Sequence, residues 1–134
     1  MECNCHHKKV VVAEKAPKAI GPYSAGVSNG CLVFTAGQLG IDPESGKLVE
    51  GGIQAQTRQA LVNLSAILEA AGSDLGKVLK TTVFLQDIAE FSQMNEVYGT
   101  FFTSDFPARS AIQVAALPLG AAVEIEAVAL APSE

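Results

Sequence analysis

The sequence predicts an α+β fold in which two helices lie on one face of a mainly antiparallel sheet. Two stretches with apolar residues at spacings of three and four predict the helices, and β-branched or alternating stretches predict the strands, in the order β-β-α-β-α-β-β. The length of 134 residues fits one domain. The other sheet face would be bare, and only 17% of the residues are charged. Both observations predict a homo-oligomer, because subunit contacts would bury apolar surface.

The part before the first helix begins with a polar segment, residues 1–9, for which we predict a flexible tail. A single domain is predicted over residues 10–134. Within it, β-branched runs indicate strands, and Gly and Pro in suitable positions indicate turns. The predicted elements are a strand at 10–13, a turn leading into a strand at 21–24, a buried strand at 31–36 and a turn at 42–46.

The first helix is predicted over residues 53–71, with Gly72 in the position of a C-terminal cap. Its apolar stripe consists of Ile53, Thr57, Leu61, Leu64, Leu68 and Ala71. The polar residues Gln56, Gln59 and Asn63 fall off that stripe. Alternation and a high content of Val and Thr predict a strand over residues 78–85.

The second helix is predicted to open at Asp87, with Glu90 at the spacing of a capping box. Pro107 ends this segment. Two further strands, over residues 109–117 and 121–130, close the chain. The apolar stripe of the second helix consists of Phe91, Met94, Tyr98, Phe101 and Phe102.

The charge distribution argues against a nucleic-acid partner. The formal net charge is −5, and the only basic residue beyond Lys80 is Arg109, beside seven acids. A protein that follows a phosphate backbone needs a basic surface, which a single chain does not supply. Oligomerisation could still gather charge into a groove.

The cysteines and the N-terminus indicate in which cellular compartment the protein is expected. Cys3, Cys5 and Cys31 are odd in number and lack framework spacing, which predicts reduced thiols and an intracellular, cytoplasmic protein. We expect no secretory signal and no membrane segment, because glycines and a proline interrupt the longest uncharged run. A mitochondrial location stays open.

Arg109 is the first candidate for chemistry. It stands before a 14-residue uncharged stretch, and its planar guanidinium suits a carboxylate held by two hydrogen bonds. The alternative is an internal salt bridge to Glu124 or Glu126. Those two acids project from one face of the last strand, where an apolar setting could raise a pKa and create a general acid or base. The alternative for the acids is the solvated face of an edge strand.

Three further positions could line a pocket. Asn95 lies on the apolar stripe of the second helix, where its amide would orient a ligand or cap a neighbouring loop. Tyr23 could offer a ring and a hydroxyl, or be a plain turn aromatic. Gly37 ends a strand, where it would allow close approach to a ligand or form a bulge.

The N-terminal segment raises the question of a metal. Cys3, Cys5, His6 and His7 could chelate zinc or copper, with an irrelevant site as the alternative. Cys31 is expected to be a small core residue. No phosphate loop, nucleophile elbow or Cys-Xaa-Xaa-Cys pair occurs, and no histidine lies outside the tail. We therefore predict no metal and no cofactor, with catalysis by carboxylate, arginine, backbone and water.

Six short segments, read together, resemble the Rid (reactive intermediate deaminase, YjgF-type) family. Their order and spacing carry the resemblance, which runs from about Ala16 to Leu130. The segments are Ala-Ile-Gly-Pro-Tyr-Ser at 19–24, Thr-Ala-Gly-Gln at 35–38, Lys-Thr-Thr-Val at 80–83, Asn-Glu-Val-Tyr at 95–98, Phe-Pro-Ala-Arg-Ser at 106–110 and Val-Glu-Ile-Glu-Ala at 123–127.

The resemblance implies a chorismate-mutase-like fold, a homotrimer and three sites in the clefts between subunits. It also implies cofactor-independent hydrolysis of 2-imino acids or their enamines, such as 2-iminobutanoate and 2-iminopropanoate (2-aminoacrylate), to 2-keto acids and ammonia. Arg109 would bind the substrate carboxylate and Glu124 would position or activate water, with Tyr23, Gly37 and Asn95 lining the cleft.

One position departs from the family pattern. Many bacterial members have Cys two residues after the arginine, where this chain has Ala111. A backbone contact at Ala111 would survive that change, whereas a thiol-dependent step would not. Two other functions remain open: a non-catalytic binder of small carboxylates or holdase, and an endoribonuclease or translation inhibitor, which would need a basic groove and aromatic platforms.

Overall fold

Residues 5–132 are described by a computed structural model, and within them two α-helices and seven strands follow the order ββββαβαββ. Four strands precede the first helix, where the predicted order has two. The turn at 21–24 was predicted to lead into a strand, and a three-residue strand follows it. The two-residue strand before the helix was not predicted, because two residues are too few to show alternation. The elements are β1 (Lys9–Val11), β2 (Gly26–Ser28), β3 (Leu32–Thr35), β4 (Gln38–Leu39), α1 (Gly52–Ala70), β5 (Val78–Leu85), α2 (Phe91–Phe101), β6 (Ala108–Gln113) and β7 (Val123–Leu130).

All seven strands belong to one sheet, with β1, β2, β3, β7, β5 and β6 side by side and β4 also paired with β7. Every pairing is antiparallel except that of β5 with β6, which α2 connects. The predicted α+β class with a mainly antiparallel sheet and two helices is confirmed. β6 is an edge strand, whereas β7 lies in the middle of the sheet.

Both helices pack on the same sheet face. Alternate residues of β5 and β7, among them Val83, Val123 and Ile125, are fully buried against α1 and α2 residues such as Leu64 and Met94. The opposite face, which we call the open face, has no helix over it in the described chain. On this face Phe34 (45%), Ile112 (47%) and Leu130 (45%) are exposed apolar residues, and the half-buried acids Glu124 and Glu126 lie beside them. Exposed apolar residues that lie together are typical of surfaces that bind another protein.

α1 ends as predicted. Gly72 has a φ of 80°, and its N–H donates to Glu69 O at 2.9 Å while Ser73 N donates to Leu68 O at 2.8 Å. This pair of bonds is a Schellman motif, which favours glycine in the left-handed position. The helix ends at Ala70 because the chain turns at the glycine.

Asn63 was predicted to lie away from the apolar stripe of α1, on its polar face. It is fully buried, and its Nδ2 donates to Leu39 O at 3.1 Å and to Ile41 O at 2.8 Å. Its Oδ1 accepts from Gln59 Nε2 at 2.9 Å. Asn63 therefore fixes the strand β4 and the residues after it, a role that helical periodicity cannot reveal because the partners lie more than twenty residues away.

The start of the second helix also differs from the prediction. A 3₁₀ turn, Ile88–Glu90, precedes α2, which begins at Phe91. The Asp87 carboxylate accepts from Ala89 N at 2.9 Å, so it caps this turn. No side-chain capping bond is found at Glu90, so the predicted capping box does not form.

The prediction of reduced thiols is wrong for Cys5 and Cys31, which form a disulfide with their Cα atoms 5.5 Å apart. Pairing of Lys9 with Ser28 explains why, since the residues before β1 then run beside those after β2. Cys31 is half-buried, not a core residue.

The N-terminal segment is only partly described, because Met1–Asn4, including Cys3, lie outside the described residues. β1 begins at Lys9, inside the segment that we predicted as a tail. The division into residues 1–9 and 10–134 stays a prediction. Neither α-helix of the described chain is long and apolar enough to cross a membrane.

Candidate functional site

Arg109 lies on the edge strand β6, and its side chain crosses toward α2. Its Nη1 donates to Asn95 Oδ1 at 2.7 Å. Its Cζ is 4.7 Å from the ring centroid of Tyr98 and 5.3 Å from that of Phe91. Both distances are within the range of cation–π attraction. The guanidinium is therefore held by one amide oxygen and two aromatic rings.

The alternative of an internal salt bridge is wrong for Arg109. It pairs with Thr81, whose side chain points toward the helices, whereas Glu124 and Glu126 project from the open face. Within residues 5–132 no carboxylate forms an ion pair with Arg109. Its charge is consequently not neutralised by any carboxylate in the described part of the chain.

Tyr98 is itself held in place. Its Oη and the buried Thr81 Oγ1 share a hydrogen bond of 2.8 Å. Burial raises the pKa of Tyr98, although the Thr81 hydrogen bond and the Arg109 charge act in the opposite direction. The phenol is therefore neutral, and it provides a ring face with no negative charge.

Ala111 can contribute only its backbone. Its side chain packs against the core. Val114 N donates to Leu85 O at 2.9 Å, which places the alternate N–H groups of β6 toward β5. By the same alternation, the N–H of Ala111 points away from β5 at the free sheet edge, on the same strand as Arg109.

Glu124 lies on the middle strand β7, so the edge-strand alternative is wrong. It is half-buried on the open face, opposite Phe84 of β5. Burial raises the pKa of the Glu124 carboxyl, and the nearby Glu126 charge raises it further. A carboxylate in this setting can exchange protons nearer to neutral pH than an exposed one.

Gly37 touches the Glu124 carboxylate. A Cβ at position 37 would overlap Glu124 Oε2, so the absence of a side chain makes room for the acid. The Gly37 backbone and the Glu124 carboxylate are thereby brought together. The close approach that the glycine was predicted to allow is made to this acid.

The loop that holds Tyr23 is attached to the backbone next to Gly37. Ala36 N donates to Ala25 O at 2.8 Å, which ties the loop that holds Tyr23 to the end of β3. The ring is 52% exposed, and Ile20 N approaches its Oη at 3.4 Å. Tyr23 is therefore available to a molecule outside the protomer.

The predicted residues thus form two groups, one around Arg109 and one around Glu124, whose side chains lie on opposite faces of the sheet. We call Asn95, Arg109 and Ala111 the arginine half-site, and Tyr23, Gly37 and Glu124 the glutamate half-site. Arg109 pairs with Thr81, and Glu124 pairs with Phe84. The Cα atoms of Arg109 and Glu124 therefore lie two strands apart, which is about 10 Å across the sheet, and they are also about 10 Å apart along the strands. One small substrate cannot contact both half-sites of the same protomer.

Two clefts of the protomer lie away from both half-sites. They have volumes of about 340 and 350 Å³ and lie beside the N-terminal strand, with lining residues that include His7, Val10 and Phe34. Neither half-site contributes to these two clefts.

The metal alternative gains no support from the described residues. Cys5 is in the disulfide, and Cys3 lies outside the described residues. No group of three or more His, Cys, Asp or Glu side chains that could hold a metal occurs between residues 5 and 132.

Sequence reasoning missed two residues of this site. Phe91 and Tyr98 were assigned to the core stripe of α2, yet both rings contact Arg109. The available signal was their spacing, since Phe91, Asn95 and Tyr98 follow one another at four and three residues and so share a helix face.

Comparisons with known proteins agree with this architecture. The endoribonuclease L-PSP family model matches residues 13–131. A human protein named 2-iminobutanoate/2-iminopropanoate deaminase is 52% identical over 123 residues, which cover 92% of this chain and 90% of the human one. A yeast crystal structure is similar with a TM-score of 0.91 and 40% identity, covering 94% of this chain and 100% of that chain. The crystal structure of Escherichia coli TdcF with bound serine is similar with a TM-score of 0.88 and 42% identity, covering 92% of this chain and 99% of that chain. The chain therefore belongs to the Rid family, whose family model is described as endoribonuclease L-PSP.

Proposed function

We propose that this protein hydrolyses reactive 2-imino acids, such as 2-iminobutanoate and 2-iminopropanoate, to 2-keto acids and ammonia. The observation that carries the proposal is Arg109, which lies at an open sheet edge and has no acidic partner among residues 5–132. The name of the human relative supports the same substrates. A 2-imino acid supplies the carboxylate that such an arginine lacks.

The two half-sites would meet between subunits of a homotrimer. The arginine half-site lies at the edge of one sheet, and the glutamate half-site lies on the open face, which needs a covering surface. A closed ring of three copies would place the edge of each protomer against the open face of the next. Each of three clefts would then contain Arg109 from one protomer and Glu124 from its neighbour.

In such a cleft, binding would orient the substrate. The Arg109 guanidinium and the outward N–H of Ala111 would hold the carboxylate, and Tyr23 would close the other side. Asn95 would act through Arg109, because its Oδ1 already accepts a hydrogen bond from the guanidinium. Positioning of this kind lowers the barrier because the entropy of alignment is lost on binding.

The chemical step requires one water and one carboxylate. Glu124 would accept a proton from the water as its oxygen attacks the carbon of the protonated imine. The resulting carbinolamine would take that proton back on nitrogen. As the C–N bond breaks, its hydroxyl would give its proton to the Glu124 carboxylate, which yields the keto acid and ammonia, and ammonia would leave with that proton as ammonium. A protonated imine is already a good electrophile, so the proposed reaction calls for no metal or cofactor.

Keto-acid release from freshly generated 2-iminobutanoate and 2-iminopropanoate tests the proposal. We expect the wild type to accelerate release and Arg109→Ala to lose the acceleration. Arg58→Ala is the matched control, because Arg58 is exposed on α1 and should leave the rate unchanged. If neither the wild type nor the control exceeds spontaneous hydrolysis, the deaminase proposal fails.

The other candidate functions would give different results. Ligand binding without ammonia release would indicate a carboxylate binder. Salt-sensitive RNA cleavage that is lost in Arg109→Ala would indicate an endoribonuclease. Sedimentation equilibrium tests the trimer separately, and a monomer at assay concentration would contradict sites between subunits.

We also propose a cytoplasmic location. Fractionation of cells should find the protein in the cytosolic fraction. Recovery of most of the protein from an organelle would contradict this location.

A further inference from the structure

The guanidinium of Arg109 lies between two rings of α2. Phe91 and Tyr98 are seven residues apart on the helix, which corresponds to about 10.5 Å along its axis. Cζ is 5.3 Å from one ring centroid and 4.7 Å from the other. The guanidinium therefore lies between the rings, beside Asn95, which is on the same helix face and accepts from Nη1. We call Phe91, Asn95 and Tyr98 the α2 cluster.

Every member of the α2 cluster is uncharged. Phe91 and Asn95 do not ionise, and burial raises the pKa of Tyr98 above its ordinary value near 10. Rings and an amide oxygen can fix the direction of a guanidinium, but they cannot neutralise its charge. An aspartate or glutamate would hold the arginine as firmly and would also compete with any anionic ligand.

We propose that the α2 cluster positions Arg109 by neutral contacts only, so that its full charge remains available to the substrate carboxylate. The inference deepens the proposed function and rests on it. Phe91, Asn95 and Tyr98 are positioning residues that act through Arg109. The property that matters is the absence of negative charge, and not only the packing.

The variant Asn95→Asp tests the charge directly. It keeps the size of the side chain and the acceptor at 2.7 Å from Nη1, but it adds a carboxylate. We expect the dissociation constant of 2-oxobutanoate, followed by NMR titration, to rise at least tenfold, because Arg109 is then paired internally. KM for the imine should rise by a similar factor with kcat changed less, since the lost interaction is made before the transition state.

Asn29→Asp is the matched control. It adds the same charge, and its Oδ1 can still accept from Cys31 N and Leu32 N as the asparagine does. We expect wild-type binding from this variant. Wild-type binding in Asn95→Asp, or an equal loss in both variants, overturns the proposal.

The rings are tested by Phe91→Leu and Phe91→Tyr. In ¹⁵N spectra, the Arg109 Nε–Hε proton should lose the Phe91 contribution to its ring-current shift in Phe91→Leu and keep most of that contribution in Phe91→Tyr, while the Tyr98 contribution remains in both variants. KM should rise severalfold in the leucine variant and recover in the tyrosine variant. An unchanged proton shift, or equal KM values in the two variants, contradicts the role given to Phe91.

The readouts separate the inference from the proposed function. If the wild type releases no keto acid but binds 2-oxobutanoate more tightly than Asn95→Asp does, the deaminase proposal fails and the role of the α2 cluster stands. If keto acid is released and Asn95→Asp is unimpaired, the deaminase proposal stands and the role of the α2 cluster fails. A wild type that neither reacts nor binds would overturn both.

Discussion

Gly37→Ala is a small change with a large expected effect on catalysis. The new Cβ would overlap Glu124 Oε2 and lie 2.7 Å from Glu124 Cδ, so the carboxylate has to move. The φ of Gly37 is not in the left-handed region, so the backbone itself tolerates alanine. The perturbation is thus directed at the position of one acid.

The expected magnitudes differ for stability and for catalysis. Moving a half-buried glutamate to another rotamer costs about 1 kcal/mol in the free energy of unfolding. A displacement of about 1 Å at a group that activates water costs about 100-fold in rate. We therefore expect kcat to fall about 100-fold while KM stays near the wild-type value, because Arg109 still binds the carboxylate.

Steady-state keto-acid release and urea unfolding would be measured together. Gly99→Ala is the control, because a Cβ at that exposed helix position meets no atom within 4 Å. It should keep its activity and gain up to about 1 kcal/mol in stability. A Gly37→Ala enzyme with wild-type kcat, or one that changes only in KM, would refute the reasoning that connects Gly37 to Glu124.

The remaining predictions concern an acid, an amide and the disulfide. Because the pKa of Glu124 is raised, kcat should fall with decreasing pH already above pH 4.5, the ordinary pKa of a glutamate. Glu124→Gln should lose activity at every pH. A wild-type kcat that falls only around pH 4.5 would contradict this prediction. A raised folded pKa also means that the charged form costs stability at neutral pH, so Glu124→Gln should be more stable there, with a difference that shrinks as pH falls. Asn63→Ala leaves the carbonyls of Leu39 and Ile41 without their partner, and we expect a loss of about 3 kcal/mol in urea unfolding. Cys5→Ser opens a loop with a sequence separation of 26 residues and should cost about 3 kcal/mol, a loss that vanishes when the wild type is measured with a reductant.

Much of the fold could be predicted from local sequence. β5 has the predicted bounds, and α1 is shifted by one residue, since both have enough residues to show a period. β2 and β4 are too short for a period to be seen. The disulfide and the hydrogen bonds from Asn63 to Leu39 and Ile41 join residues more than twenty positions apart, and a periodic pattern carries no information about such partners.

The candidate site could also be predicted from the sequence only in part. Arg109 could be singled out because no other basic residue follows Lys80, and Glu124 because two acids alternate with apolar residues. Sequence could not place them on opposite faces, because that depends on the strand order β7-β5-β6. It also could not reveal that Asn95 contacts the arginine, since an amide on an apolar stripe has many possible partners.

The placement of Arg109 and Glu124 on opposite faces has a genetic consequence. In the proposed trimer, an Arg109→Ala subunit still offers an intact glutamate half-site, and a Glu124→Gln subunit an intact arginine half-site. Any ring that mixes the two inactive chains contains one interface where both intact halves meet. Random mixing in equal amounts would restore about a quarter of the wild-type sites. Two alleles that are each null would therefore complement one another when expressed in the same cell.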